Sequence, residues 1–176
     1  GCGSIANLHA HAYNQVQVME LVACADTVAA KEESFAARYG IPKSYTDYRE
    51  MLDQEQLDIV SICSWHPLHA EMTIAAAARK PKAILCEKPM ADSVGAAADM
   101  LMICRRNDVK LAIGHQRRFL PAWTLAKQMI ADGEIGDVRL ITTVAHDGLP
   151  TYASHQTDMF RYLLNDMECS WVMGNV

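Results

Sequence analysis

The chain has 176 residues, of which 51% are hydrophobic and 21% are charged, and its net charge at pH 7 is −5. This is the composition of a globular protein with a core, and the negative charge argues against a nucleic-acid partner because no Lys/Arg cluster exceeds a pair. No segment has the roughly 20 consecutive apolar residues that a membrane-spanning helix needs, so we expect no membrane partner.

Strand-like and helix-like segments alternate along residues 1–113, a pattern typical of a parallel sheet with crossover helices. After a glycine-rich turn over 1–6, which opens a helix, the first strand is predicted over 21–26. The further predicted elements are a helix over 29–39 that ends at Gly40, a short connection over 45–48, a helix around 50–52, a strand over 57–63, a helix over 71–79, a strand over 82–86, a helix over 94–106 and a strand over 109–113. We therefore predict an α/β fold with a doubly wound parallel sheet.

The character of the chain changes at Pro121, after which a helix is predicted over 122–131, a strand over 138–145 and a helix over 155–164. We place a domain boundary near residue 118, with a Rossmann-type nucleotide-binding domain over 1–118 and the start of a second α/β domain over 119–176. The sequence begins inside a glycine turn, without the strand that normally precedes it at the centre of such a sheet, and it ends where a strand is beginning. We therefore expect a fragment of a longer polypeptide.

The first six residues have the form G-x-G-x-x-A, one version of the dinucleotide-binding turn. Gly1 permits the tight turn, Gly3 lets the backbone approach a pyrophosphate, and the small Ala6 allows close packing of helix and strand. The anion would lie at the helix N-terminus, so Ser4 and Ile5 join Gly1 and Gly3 as predicted cofactor-binding residues. By itself such a turn is a weak signal, since glycine turns without a ligand are at least as common.

Asp26 strengthens this interpretation because it ends the next predicted strand, about 20 residues after the glycine turn. A carboxylate at that position accepts hydrogen bonds from the adenosine ribose and repels a 2′-phosphate, so NAD is favoured over NADP. Thr27 and Lys31 could soften that preference. The alternative is that Asp26 only caps the following helix.

Glu87-Lys88-Pro89 follows the apolar strand predicted over 82–86. Ligands of an open parallel sheet bind outside the carboxyl ends of its strands, which places Lys88 in the expected crevice. Pro89 restricts the local backbone and so limits where the lysine can point. Lys88 is therefore a predicted catalytic residue, and the alternative is an ordinary solvated loop lysine.

A series of segments, in their order along the chain, resembles the Gfo/Idh/MocA oxidoreductases, named for glucose-fructose oxidoreductase, inositol dehydrogenase and a rhizopine-catabolism protein. The segments are GCGSIA, LVACAD, LDIVSIC followed by HPLHAE, ILCEKPM, GHQRRF, GEIGDV and SHQTDMFRYLL. The resemblance implies a Rossmann domain followed by an α/β domain with a large open sheet that commonly mediates homo-oligomers. It also implies a sugar, an inositol or a related polyol as the substrate.

By position, the resemblance assigns Glu87 and Lys88 to the family's EKP motif. There the lysine lies near both the nicotinamide and the substrate hydroxyl, and its bond to proline is often cis. Trp65 and His66 fall where many members have Pro-Asn lining the cofactor cleft, and His69 matches the histidine that follows. The resemblance therefore implies that all five residues bind the cofactor.

His155 matches the catalytic histidine of the family's H-x-x-D segment, and Asp158 matches the acid three residues later, on the same helix face. Arg117 and His146 align with positions that often contact the substrate, so with Asp158 they are the implied substrate-binding residues. The alternatives are that His155 packs at the start of a helix capped by Ser154, and that Arg117 and His146 are merely solvated.

The sequence departs from the family at one position that matters for catalysis. Many members carry an aspartate four residues before the catalytic histidine, where this chain has Thr151. The segment over 146–155 is also short beside the usual loop, and Asp147 and Asp158 are the candidates to replace the missing acid.

Together these features predict an NAD-dependent oxidoreductase acting on a secondary alcohol of a sugar or polyol. His155 would accept the hydroxyl proton, while Lys88 would orient the hydroxyl and stabilise negative charge on its oxygen. Thr151 leaves open a second function, a nucleotide-binding regulator that has lost catalysis. A third is a glycosidase of the same fold that recycles its NAD.

The cysteines bear on the compartment and on metal binding. There are six, and they show no C-x-x-C spacing. Most lie in apolar runs, where free cysteine behaves as a small hydrophobic residue. We therefore expect reduced thiols, no metal site and a cytoplasmic location.

Overall fold

The computed structural model describes residues 1–144 and 152–174, and the chain divides into two compact units. Unit 1 comprises Gly1–Gly114 and unit 2 comprises His115–Val176. The sequence analysis places the boundary slightly later, at residue 118. Within the described ranges, no helix is long and apolar enough to span a membrane.

Unit 1 has the predicted alternation of helices and strands. Its elements are α1 (Ser4–Asn14), β1 (Ala23–Ala25), α2 (Ala29–Tyr39), β2 (Lys43–Tyr45), α3 (Tyr48–Gln54), β3 (Ile59–Ile62), α4 (His69–Ala77), β4 (Ala83–Cys86), α5 (Val94–Arg106) and β5 (Lys110–Ile113). β1 pairs in parallel with β2, and β3, β4 and β5 form a second parallel sheet in that order. The predicted Rossmann-type α/β fold is confirmed, with helices as the crossovers that parallel strands require.

Two helices have the predicted bounds, and their ends show why. Gly40, after α2, has a φ of 68°, a left-handed conformation that glycine adopts without a steric penalty. Before α5, the Ser93 hydroxyl accepts a hydrogen bond from the Ala96 N–H at 3.2 Å. Both signals depend only on neighbouring residues, so the sequence alone reveals them.

Strand β2 is not predicted from the sequence, and it overlaps the start of the predicted connection over 45–48. Residues Lys43 to Tyr45 pair in register with Ala23 to Ala25. Lys43 is exposed and the other two residues are half-buried, so no apolar run in the sequence indicates a strand here. Its partner β1, rather than its own composition, makes this segment a strand.

Two buried clusters stabilise unit 1. One is formed by the β3–β4–β5 sheet with α4 and α5 and contains Ile84, Cys86 and Met100, each 0% exposed. The other surrounds α1 and α2, where Phe35 belongs to the same cluster as Ala6. Ala6 is 5% exposed, so it has the close-packing role expected for the last residue of the glycine turn.

No ladder joins β1 to β3 within the part of the chain that the structure describes. Residues of both strands, including Cys24 and Val60, line one apolar groove together with Ala10 of α1. In the strand order 3-2-1-4-5-6 of doubly wound sheets, the first strand lies between the second and the fourth. Counted from the glycine turn, β1 has the place of the second strand and β3 that of the fourth. The two strands that line the groove are therefore not adjacent in that strand order.

Unit 2 contains, in its described residues, a 3-10 turn over Gln116–Phe119 and the helices α6 (Pro121–Ala131) and α7 (Ser154–Leu163). The strand predicted over 138–145 was wrong for residues 138–144, which form no regular element, and residue 145 lies outside the described residues. A strand needs a neighbour for its N–H and C=O groups, and residues 115–144 and 152–174 include no second strand. β-branched composition cannot replace that neighbour.

The buried cluster of the larger sheet gives a first prediction. Ile84→Ala should lower the free energy of unfolding of the full-length protein by about 2–5 kcal/mol, because the cavity left at a fully buried site cannot fill. Urea denaturation followed by circular dichroism measures this. Leu8→Ala on α1, where the side chain is 65% exposed, should change it by less than about 0.5 kcal/mol. Equal losses in the two variants would contradict the burial of Ile84.

Candidate active site

The glycine turn leads into α1 and packs against the end of β3. A Cβ built on Gly1 would lie 2.9 Å from the Cys63 carbonyl oxygen, so only glycine fits there. Gly3 is the N-cap of α1, with extended backbone and no side-chain capping bond, and both Gly3 and Ser4 are exposed. The first-turn N–H groups of a helix lack intrahelical acceptors and carry the positive end of its dipole. This turn therefore fits an anion such as a pyrophosphate.

Asp26 is bound to that turn directly. Its Oδ2 accepts the Cys2 N–H at 2.9 Å, and its Oδ1 accepts the Val28 N–H at 3.0 Å. Burial acts to raise the pKa of Asp26, but these two backbone hydrogen bonds lower it below its ordinary value. An ionised carboxylate has about four acceptor sites, so two remain for ribose hydroxyls. Val28, not Asp26, is the N-cap of α2, so Asp26 bridges the turn and the helix start.

The turn that carries Lys88 is fixed by the strands on both sides of β4. The Glu87 N–H donates to Ile62 O at 3.0 Å, and the Gly114 N–H donates to Cys86 O at 2.8 Å. The peptide bond from Lys88 to its proline is cis, as the resemblance implies. Lys88 is half-buried, which differs from the fully solvated lysine of the alternative interpretation.

Both carboxylate oxygens of Glu87 accept hydrogen bonds from the protein. Oε1 lies 3.0 Å from His9 Nε2, and Oε2 accepts the Lys88 N–H at 3.2 Å. From the sequence alone, His9 is interpreted as a structural or cofactor-lining residue, without a specific partner. A signal was present, because His9 lies between the buried Ala6 and Ala10 of α1 and therefore on its inward face.

His69 ties the loop after β3 to the turn after β4. It is 1% exposed, with Nδ1 2.8 Å from the Pro89 carbonyl oxygen and Nε2 3.1 Å from that of Ser64. Trp65 is 78% exposed, and its ring lies 6.2 Å from that of the half-buried His66. Of the predicted cofactor residues in this loop, His69 is therefore buried and connects the two segments, whereas Trp65 is exposed and His66 is half-buried.

Unit 2 places His155 in the first turn of α7. The side chain is buried at 7% exposure, and its ring meets that of His115 edge to face, with centroids 6.2 Å apart. The helix begins at Ser154 and its N-cap is Ala153, so the predicted cap at Ser154 was wrong.

One turn further along α7, the Asp158 carboxylate accepts two hydrogen bonds from Arg118 Nε, at 2.9 and 3.0 Å. Arg118 also donates to Asp166, and these two acids raise its pKa above the ordinary arginine value. Arg118 is a residue that the sequence analysis missed. The guanidinium of its neighbour Arg117 instead lies 5.5 Å from the ring centre of Tyr152.

The segment before α7 carries three of the residues that the sequence singles out. His146, Asp147 and Thr151 lie outside the described residues. Of the two candidates to replace the missing acid, Asp158 is described and is bound by Arg118, whereas the role of Asp147 stays a prediction.

The chain matches a family model and several known proteins. The model of the GFO_IDH_MocA family, an oxidoreductase family with an NAD-binding Rossmann fold, matches residues 1–115. The uncharacterised oxidoreductase YrbE of Bacillus subtilis is 31% identical over 178 residues, covering 93% of this chain and 52% of YrbE. Inositol 2-dehydrogenase of Rhizobium meliloti is 34% identical over 147 residues, covering 84% of this chain and 44% of the relative.

Among solved structures, a probable dehydrogenase from Thermotoga maritima resembles the chain with a TM-score of 0.81 at 27% identity. The match covers 94% of this chain and 54% of that protein. The chain thus spans about half the length of the relatives that it matches.

The contacts of Arg118 with Asp158 should stabilise α7. Arg118→Lys loses the two-nitrogen contact with Asp158 and should weaken the helix by about 1–2 kcal/mol, so amide hydrogen exchange over 154–163 should accelerate roughly 5- to 30-fold. Arg139→Lys, at a guanidinium that is 84% exposed, is the control and should leave exchange in α7 unchanged. Equal protection of α7 in both variants would show that the Arg118 contacts do not stabilise it.

Proposed function

Because the chain belongs to the GFO_IDH_MocA family of oxidoreductases, whose NAD-binding Rossmann fold covers residues 1–115, we propose that the full-length protein is an NAD-dependent dehydrogenase. Its substrate is a secondary alcohol of a sugar, an inositol or a related polyol. The similarity to an inositol 2-dehydrogenase supports this substrate class.

One observation carries the proposal, namely the convergence in unit 1 of an anion-binding turn, a carboxylate and a lysine-bearing turn. Asp26 accepts a hydrogen bond from the glycine turn, and that turn abuts Cys63 at the end of β3. The next strand, β4, ends at Glu87 and Lys88. Ligands of parallel sheets bind at these strand ends, so the three features face the same class of ligand.

The proposed cofactor residues are those of the two turns and the loop after β3. Gly1, Gly3, Ser4 and Ile5 would hold the pyrophosphate and Asp26 the ribose, while Trp65, His66, His69, Glu87 and Lys88 would border the nicotinamide end. Bound NAD would supply the hydride acceptor. The charge of Asp26 supports NAD rather than NADP.

The remaining roles belong to the protein's own side chains. Lys88 orients the reacting hydroxyl and stabilises charge that develops on its oxygen. His155 accepts the hydroxyl proton. Arg117, His146 and Asp158 position the other hydroxyls, and the Arg118 contact fixes the carboxylate of Asp158 for that task.

We further propose a homo-oligomer and a cytoplasmic location. The exposure of large apolar residues in unit 2 supports an interface with more protein, since Leu140, Trp171 and Val172 are 75–85% exposed. All six cysteines are free, which supports a reducing compartment.

Lys88 provides the direct test of the dehydrogenase. NADH formation by the full-length protein should appear with at least one of a panel of inositols, aldoses and aldonic acids. Lys88→Met should then lower kcat by roughly 10²–10⁴-fold with little effect on NAD affinity. Lys82→Met, at the other end of β4 where the side chain is 81% exposed, is the matched control. Equal losses of turnover and NAD affinity in Lys88→Met would refute the assigned role.

The same assay separates the alternative functions. NAD binding without NADH formation on any member of the panel would favour the regulator. Release of an aglycone from a glycoside without net NADH would favour the glycosidase.

Asp26 tests the cofactor preference. Asp26→Asn removes the charge that repels a 2′-phosphate, so the ratio of NADP to NAD affinity should rise at least roughly tenfold. Equilibrium titration with each nucleotide measures this ratio. Asp58→Asn, at a side chain that is 72% exposed, should not change it. An unchanged ratio in Asp26→Asn would remove Asp26 from the nucleotide site.

A further inference from the structure

Unit 1 contains a buried ion pair between Glu87 and His9, and the proposed function gives His9 no role. Glu87 is 6% exposed, and its Oε1 lies 3.0 Å from Nε2 of His9 on α1. Its Oε2 accepts the backbone N–H of Lys88 at 3.2 Å. A carboxylate removed from water needs such partners, because burial without them is costly. One side chain therefore joins the helix of the glycine turn to the turn that carries Lys88.

His9 is held in one orientation by partners on its second ring nitrogen. Nδ1 lies 3.2 Å from Ser61 Oγ, and the Tyr13 hydroxyl lies 2.6 Å from the same oxygen. The Cys63 side chain and the Glu87 carboxylate raise the pKa of His9 to about 10, against the opposing effect of burial. A protonated imidazole donates from both nitrogens, so Ser61 accepts from Nδ1 while Glu87 accepts from Nε2.

A glycine leaves the room that the carboxylate occupies. A Cβ built on Gly114, directly after β5, would lie 2.8 Å from Glu87 Oε1 and 3.2 Å from its carboxyl carbon. Gly114 does not have a positive φ, so space rather than backbone conformation requires glycine here. An alanine at this position would require the Glu87 carboxylate to shift from the place in which it contacts His9.

We propose that His9 is a positioning residue for Lys88: its imidazole holds the Glu87 carboxylate, and the carboxylate holds the backbone from which the Lys88 side chain extends. The role of Lys88 in this inference rests on the proposed dehydrogenase function. His9 itself needs no contact with substrate or cofactor. Its loss should therefore lower kcat, since misplacing a reacting group by about 1 Å costs up to roughly 100-fold, and should leave NAD affinity nearly unchanged.

The pair also has a pH dependence with a definite sign. The titratable groups that face His9 are Tyr13 on its own helix, Cys63 after β3 and Glu87 after β4, and Lys88 acts on Glu87. A raised histidine pKa stabilises the fold fully below the ordinary value of 6.5, and this contribution disappears as the pH rises to about 10. The lowered pKa of Glu87 contributes stability above the ordinary value of 4.5 and loses it as the pH falls. The pair should therefore contribute most to the stability of the fold between about pH 4.5 and pH 6.5.

The positioning role can be tested by enzyme kinetics of the full-length protein with one substitution on α1 and another directly after β5. His9→Gln and Gly114→Ala should each lower kcat roughly 10- to 100-fold while the dissociation constant of NAD changes less than about threefold. His11→Gln, at an exposed position of the same helix, and Gly95→Ala, where a Cβ would meet no atom within 4 Å, are the matched controls. Both controls should turn over like the parent protein.

A double-mutant cycle identifies the path through Glu87. Once Glu87→Gln has removed the charge, adding His9→Gln should cost little more, because the two residues act as one unit. The inference would be overturned if the fold-losses of kcat in the two single variants multiplied in the double variant, or if His9→Gln kept the kcat of the parent protein.

Two readouts do not require turnover. In NMR titration the imidazole of His9 should titrate well above pH 6.5, and Glu87→Gln should shift it down. Amide hydrogen exchange at Lys88 should accelerate in His9→Gln and Gly114→Ala but not in His11→Gln. If no polyol yields NADH, the dehydrogenase proposal fails while these readouts still judge the positioning of the turn. Ordinary titration of His9, or unchanged exchange at Lys88, would overturn it.

Discussion

Glu87 keeps a negative charge inside unit 1, where little water reaches it and its oxygens need donors from the protein. Burial acts to raise its pKa, yet the hydrogen bonds from His9 and from the Lys88 N–H keep the pKa below its ordinary value. Meeting this requirement takes one residue from α1, one from the turn after β4, and the space at Gly114 after β5. The helix that begins at the glycine turn and the strands that form the sheet are thereby aligned around one carboxylate.

Unit 2 shows the same relation between a charged pair and a candidate catalytic residue. Asp158 lies one turn along α7 from His155 and is bound by Arg118 from the segment before α6. Asp166, beyond the end of α7, binds the same guanidinium. In each unit, a charged pair joins separate elements next to a candidate catalytic residue, Lys88 in unit 1 and His155 in unit 2.

The parallel sheets explain why such pairs lie where they do. Every parallel strand delivers its following segment to the same edge, so residues that are distant in sequence meet there. Cys63 after β3, Glu87 after β4 and Gly114 after β5 are three successive examples. Asp26 after β1 joins them through its hydrogen bond with the glycine turn.

The sequence by itself determined the parallel α/β fold, the bounds of α2 and α5 and the glycine turn, because periodicity, capping and short motifs depend on neighbouring residues. It did not reveal β2, whose exposed and half-buried residues become a strand only beside β1. It also predicted a strand over 138–145, of which residues 138–144 form no strand. It also left His9 as a structural or cofactor-lining residue without a partner, and it gave Arg118 no role. Their partners lie 78 and 40 residues away, so only the folded chain decides which charge each one meets.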